Sequence, residues 1–140
     1  MSTDTAVYSI DVEITAPVYD TEVTDRVADA ITALFPDAEP EFQHGELTAT
    51  VHNLERFSER LHQQAILDTA RDLFFENHRG DSFSFRLKKQ AAFEGVVNFV
   101  VDEPGELGVI AVRVRVDEPS VEEVIDRVAP PTEDGKPIED

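Results

Sequence analysis

VYSIDVEITA, residues 7–16, alternates apolar and polar side chains with a period of two. Successive side chains of a β-strand point to opposite sides of the sheet, so this period indicates a strand with one buried face. The stretch therefore predicts a sheet with one packed side and one wet side, on which the wet side carries Ser9, Asp11, Glu13 and Thr15.

The same alternation returns along the rest of the chain. Strands are predicted at 38–43 and 46–53, joined by a hairpin turn at His44-Gly45, and again at 81–88. Residues 91–101 and 109–116 alternate as well, and the turn DEPGELG at 102–108 would join them as a second hairpin.

Between these strands, apolar residues recur at helical spacing. The spacing predicts one helix before Pro36, one long helix or two short ones with a bend near Gln63 over residues 54–77, and a last helix capped by Ser120. The predicted class is α+β: a mainly antiparallel sheet with helices on one face, a ferredoxin-like β-α-β-β-α-β start, then a hairpin and a C-terminal helix. Residues 1–131 would form a single domain and 132–140 a mobile acidic tail.

The charge is strongly one-sided: 30 acidic against 12 basic residues give a formal net charge of −18. We interpret this surface as an adaptation to salt-rich cytoplasm, because the Debye length shrinks to about 3 Å at 1 M salt and screens self-repulsion. An acidic face that docks onto a basic protein is the alternative. The chain has no cysteine and no apolar run long enough to span a bilayer, so a soluble cytoplasmic protein is predicted.

One stretch reverses this charge. Residues 79–101 hold four basic and only two acidic residues, and the cluster RLKKQ, Arg86 to Gln90, lies at a predicted strand end. Lysine and arginine supply most sequence-independent affinity for phosphate backbones, which makes RNA a candidate partner. The alternative is that these charges are solvated and only blunt a sheet edge.

The outward positions of the predicted strands add hydroxyls and further charges. If the strands share one sheet, Arg113 and Arg115 lie on its open face. Open sheet faces of this kind bind single-stranded RNA in several modules. Equally, the two arginines could pair with Asp11 and Glu13 across strands, and both interpretations stay open.

Signals for catalysis are weak. The four histidines have no metal-ligand spacing, and neither a glycine-rich phosphate loop nor a nucleophile elbow is present. The sequence predicts no catalytic residue, no metal and no cofactor.

Several motifs together point to a known family: ILDTAR at 66–71, KQAAFEGVVNF at 89–99, Leu107-Gly108, Ile125-Asp126, Ala129-Pro130 and Asp134-Gly135. Over essentially its whole length the chain resembles the archaeal uncharacterised protein family 0201 (UPF0201). The resemblance implies membership of a predicted RNA-binding group, a fold like that of the large-subunit ribosomal protein that holds 5S rRNA, and no known enzymatic activity.

The residues and the resemblance together give a candidate RNA-binding set. Its members are Arg71, Arg86, Lys88, Lys89, Gln90 and Asn98. An alternative is structural: Asp68 and Arg71 on a helix could bond Lys89, Gln90 or Asn98 and fix the helix against the strands. A protein-interaction module, such as a homodimer, is the second functional hypothesis, and an enzyme acting on a phosphorylated small molecule is the third.

Overall fold

The computed structural model describes residues 9–100, 108–133 and 136–137. Predicted features at Tyr8, at Val101 and over the 102–107 part of the turn lie outside the described residues, as does most of the predicted tail. Within that tail, Thr132–Glu133 (β6) pairs with Lys136–Pro137 (β7), and the Thr132 hydroxyl donates to a carboxylate oxygen of Asp68.

Five strands form one antiparallel sheet in the order β2-β3-β1-β5-β4. Their bounds are Ser9–Pro17 (β1), Glu41–Gln43 (β2), Glu46–Val51 (β3), Ser82–Lys88 (β4) and Val109–Glu118 (β5). The predicted hairpin is confirmed: β2 and β3 flank His44 and Gly45, both of which have positive φ. Two consecutive left-handed residues suit the twist of a short hairpin turn.

The helices cover one face of this sheet. They are Thr24–Leu34 (α1), Glu55–Gln63 (α2), Leu67–Glu76 (α3), the short Lys89–Ala92 (α4) and Val121–Val128 (α5). Alternate strand residues such as Val12, Phe85 and Val114 are buried beneath them, and Phe57 of α2 stacks on Phe85 with ring centroids 5.0 Å apart. The predicted α+β class with helices on one face is confirmed, and no described helix is long and apolar enough to cross a membrane.

Residues 54–77 form two helices, as one of the two predicted alternatives had it. The helical segment is interrupted at residues 64–66, where Ala65 adopts a positive φ of 58°. The Gln64 side chain fixes this joint, because its amide donates to the carbonyl of Val97 at 2.8 Å and accepts from the Val97 N–H at 2.8 Å.

The predicted strand over 91–101 is wrong. Residues 89–92 form α4 instead, Gly95 takes a left-handed φ of 73°, and the described backbone of the segment pairs with the sheet at one bridge, between Leu87 and Phe99. The apolar alternation of this segment arises from a loop whose Ala92 and Val97 belong to the core and whose Phe99 packs against it. Consequently β5 forms no hairpin with 91–101 but inserts between β1 and β4.

Candidate nucleic-acid interface

The sheet face opposite the helices is an ordered array of outward side chains. Strand register places Ser84, Arg113 and Glu13 in one row across β4, β5 and β1. The next row is Arg86, Ala111 and Thr15. Because side chains opposite each other lie about 4.5–5.5 Å apart at Cβ, these six residues form one continuous patch.

Four cations of this face lie on two neighbouring strands, and we call them the basic band: Arg86 and Lys88 on β4, Arg113 and Arg115 on β5. All four are exposed. Within a chain of charge −18, the sheet thus gathers a third of the 12 lysines and arginines on two of its strands. The neighbouring strand β1 supplies the carboxylates Asp11 and Glu13, so the face has a basic side and an acidic side.

The two arginines of β5 differ in what they contact. Arg115 Nη2 lies 2.8 Å from Asp11 Oδ2, and this hydrogen bond, with the Asp11 charge, raises the pKa of Arg115 above its ordinary value. Arg113 has the carboxylate of Glu13 directly across the strand pair, yet in the described part of the chain it forms no ion pair. Cross-strand pairing therefore accounts for Arg115 and leaves the Arg113 guanidinium available to a ligand.

A cavity of about 430 Å³ opens over the six-residue patch. Its floor is Ala111, whose small side chain lies between the longer Arg86 and Thr15. We call it the Ala111 cavity. Beyond the edge strand β4 its wall is completed by Leu73, Glu76, Asn77 and Val100.

Lys89, a member of the candidate RNA-binding set, is not at the surface, because its side chain is wholly buried. Its ammonium donates to the Pro17 carbonyl at 2.5 Å and to Glu22 Oε1 at 2.9 Å, and it lies over the ring of Tyr19. A buried ammonium with these partners presents no face to a phosphate. It ties α4 to the loop between β1 and α1.

Arg71 is partly buried within the helical layer. Its Nη1 lies 2.7 Å from Asp126 Oδ1 and donates to the Ala129 carbonyl at 3.2 Å, so it joins α3 to the end of α5. The structural alternative describes this residue better than RNA contact does, although its partners are Asp126 and Ala129 rather than Lys89, Gln90 or Asn98.

The remaining predicted site residues are exposed near β4. The Asn98 carbonyl accepts from the Lys88 N–H at 2.8 Å, which brings Asn98 beside Lys88 at the edge of the sheet. Gln90 is exposed on α4, two residues beyond the strand. The structure thus brings Arg86, Lys88 and Asn98 together and separates them from Lys89 and Arg71.

Residues outside the predicted set complete the patch. The alternation of 109–116 had placed Arg113 and Arg115 on the open face, but only the strand order shows that β5 lies directly beside β4. Alternation had also placed Glu13 on the open face. Only the register shows that Glu13 lies opposite Arg113 and that Ala111 lies opposite Arg86.

A second concavity lies between α2, α5 and the end of β3. Its volume is about 690 Å³, and His52, Ser58, His62 and Arg127 are among its lining residues. His52 Nδ1 contacts the Ile10 carbonyl and Asp11, and His62 Nδ1 contacts the Ser58 carbonyl. Across the described residues, no three histidines, aspartates or glutamates are placed to hold a metal ion.

Comparison with known proteins agrees with this geometry. The family model described as RNA binding matches residues 11–116, which include all five strands apart from the ends of β1 and β5. The open-faced α+β domain thus belongs to the class of domains that this RNA-binding family model describes.

Whole-chain relatives narrow the class further. The UPF0201 protein TK1335 of Thermococcus kodakarensis is 40% identical, and the match covers 92% of this chain and 96% of that protein. The chain belongs to the UPF0201 family. The crystal structure of the UPF0201 protein from Methanococcus jannaschii superposes with a TM-score of 0.86 at 34% identity, over 92% of this chain and 99% of that one.

Another relative is much longer than this chain. The UPF0200/UPF0201 protein of Archaeoglobus fulgidus is 36% identical over 94% of the present chain, which spans only 41% of that relative.

Proposed function

We propose that this protein binds RNA on the open face of its sheet, through the basic band, and without catalysis. The observation that carries the proposal is the concentration of Arg86, Lys88, Arg113 and Arg115 on two adjacent strands of the uncovered face. Adjacent strands place these cations within reach of successive phosphates, and arginine forks match phosphate oxygens. The match of residues 11–116 to the RNA-binding family model supports the same partner.

The mode of binding is backbone contact more than base stacking. In the described part of the sheet, the aromatic residues Phe83 and Phe85 of β4 are buried on the opposite face. The exposed Phe42 of β2 lies opposite buried Leu47 and so has the parity of the helix-covered face. The described part of the open face thus has no stacking platform of the kind that anchors bases on other open sheets. We therefore expect weak sequence preference and a strong dependence on salt.

The test is fluorescence anisotropy of short, mixed-sequence, single-stranded RNA, titrated with the wild type and with Lys88→Gln/Arg113→Gln in a series of KCl concentrations. Neither residue has an ion pair among the described residues, so the double variant should fold normally. We expect a loss of affinity of more than tenfold, since each lost phosphate contact removes part of the counterion-release term.

Arg56→Gln is the matched control for charge. Arg56 lies on α2, in the helical layer, and its one ion pair among the described residues is with Glu59 at 3.4 Å. Combined with a second helical change, Arg26→Gln, it alters the net charge as much as the double variant does. Equal loss in both pairs would mean that net charge, not the basic band, governs binding.

A second copy of the chain is the competing occupant of the same face, because the acidic side formed by Asp11 and Glu13 complements the basic band. Light scattering on the same samples measures whether the protein self-associates. A wild-type dimer that becomes monomeric in Lys88→Gln/Arg113→Gln, with no RNA binding in either, would replace the RNA proposal with self-association.

A further inference from the structure

We infer that the Ala111 cavity holds one ribonucleotide of the bound strand and distinguishes RNA from DNA through Glu13. This inference rests on the proposed function, and it adds a defined ligand and a residue that selects it. The volume of about 430 Å³ lies within the range of about 300–1,000 Å³ that is usual for small-molecule sites.

The cationic side of the cavity suits a phosphodiester. Arg86 lies opposite Ala111, and Arg113 is two residues along from Ala111 on the same strand, so the two arginines are diagonal neighbours across β4 and β5. Diagonal neighbours are about 7–8 Å apart, and their long side chains can converge on one anion above the small Ala111 floor. Ser84, opposite Arg113, adds a hydroxyl donor.

The acidic side restricts which anion fits. Glu13 stands across from Arg113, and Glu76 lines the wall beyond β4, so the cavity holds two carboxylates beside its two guanidinium groups. A free phosphate dianion or a polyphosphate would meet repulsion there. A phosphodiester carries a single negative charge, and its ribose brings hydroxyl groups that can donate hydrogen bonds to a carboxylate.

Glu13 is the residue positioned to recognise the sugar. Its side chain is exposed and forms no hydrogen bond or ion pair with another described residue. Because it is adjacent to the phosphate-binding Arg113, its acceptor oxygens lie beside the place where a ribose would follow the phosphate. The 2′-hydroxyl is the donor that separates RNA from DNA, and protein carboxylates bind ribose hydroxyls at other nucleotide sites.

The experiment uses two dinucleotides that differ only in their 2′-hydroxyl groups: uridylyl-uridine and its 2′-deoxy counterpart. Each is titrated into ¹⁵N-labelled protein, and Kd is taken from the amide shifts of Ser84, Ala111 and Arg113. We expect the ribo form to bind about tenfold more tightly, the worth of one hydrogen bond to a charged group. Inorganic phosphate is the third ligand, and we expect it to bind more weakly than either.

Two variants complete the test. Glu13→Ala should bring the ribo-to-deoxy ratio close to one while leaving or improving deoxy binding, since a carboxylate beside the phosphate is gone. Glu46→Ala removes a carboxylate of the same face, on β3 and outside the cavity, and should keep the wild-type ratio. A merely structural role for Glu13 would weaken both dinucleotides together.

The outcomes separate the two proposals. Equal binding of the two dinucleotides, shifts elsewhere on the protein, or no binding of either overturns the inference, even if longer RNA still binds the basic band. If the protein binds no longer RNA, the proposed function fails, and the inference fails with it because there is no bound strand for the cavity to hold.

Discussion

The ammonium of Lys89 lies 2.9 Å from Oε1 of Glu22, and both side chains are buried, Lys89 completely and Glu22 to all but 8% of its surface. The pair joins the start of the KQAAF motif to the loop ahead of α1. In the described structure Glu22 Oε2 has no hydrogen-bond partner, so the pair is only partly satisfied. Its role is to hold two segments together.

Lys89→Met should destabilise the protein by about 3–5 kcal/mol, because it leaves the Glu22 carboxylate buried without its cation. Lys89→Met/Glu22→Gln should recover much of that loss, since no buried charge remains. Urea denaturation measures both. Lys88→Met, at the exposed neighbouring position, is the control and should change the free energy of unfolding little; a similar loss in both methionine variants would refute the assignment of Lys89 to the interior.

Gly108→Ala should cost more stability than Gly45→Ala. Both glycines have a φ of 82°, so an alanine meets the same backbone strain of about 1–2 kcal/mol at either site. At Gly108 the added Cβ would also lie 2.7 Å from the Tyr19 hydroxyl, whereas nothing lies within 4 Å at Gly45. Thermal unfolding should show the difference, and Gly108→Ala/Tyr19→Ala should reduce it. Equal losses would exclude the contact with Tyr19.

Ala65→Gly should stabilise the protein by up to about 1 kcal/mol. Ala65 is exposed and holds a left-handed φ of 58° at the α2–α3 joint, where a glycine is free of the Cβ clash. Ala33→Gly, within α1, is the matched change in a regular helix and should destabilise by about 0.5–1 kcal/mol. If both changes destabilise the protein, the positive φ of Ala65 does not impose a backbone strain that glycine relieves.

Arg113→Gln and Arg115→Gln should separate binding from stability. Arg115→Gln breaks the pair with Asp11 and should lower the melting temperature slightly, while Arg113→Gln should leave it unchanged. The raised pKa of Arg115 means that its contribution persists at lower pH and is lost only as pH rises through that raised value. Loss of RNA affinity should be larger for Arg113→Gln, and the opposite ranking would contradict the account of these two residues.

The salt dependence of RNA binding offers a further check. If Arg86, Lys88 and Arg113 each neutralise one phosphate, the slope of log K against log salt concentration is about −2 for a single strand, and Lys88→Gln should reduce its magnitude by about 0.7. A slope near zero in the wild type would mean that contacts other than phosphate carry the affinity.

Much of the fold could be predicted because strand alternation and helix spacing are local signals. Val12 and Ile14, or Val112 and Val114, are buried as their parity requires. The failure at 91–101 has a physical cause. Ala91, Phe93, Gly95, Val97 and Phe99 alternate as a strand would, but residues 89–92 turn into a helix and Gly95 takes a positive φ. The Gln64 side chain then bonds both backbone groups of Val97, which a strand would need for its ladder.

The candidate site was harder to predict because register decides it. The RLKKQ cluster correctly indicated Arg86 and Lys88 as surface charges, yet simple proximity in sequence could not separate exposed Lys88 from buried Lys89. The alternation of β4 gives Lys88 the parity of exposed Arg86, and Lys89 lies beyond the strand as the first residue of α4. Glu13 and Ala111 enter the site only through the pairing of β1 and β4 with β5.

Amide shift mapping of ¹⁵N-labelled protein with short single-stranded RNA tests the central claim most directly. The account predicts that the largest shifts fall on the outward residues of β4 and β5, from Ser84 to Lys88 and around Ala111 and Arg113, and that they shrink as KCl rises. Saturable RNA binding whose shifts fall on α2, α5 and His52 at the end of β3, or an absence of shifts at any salt concentration, would contradict it.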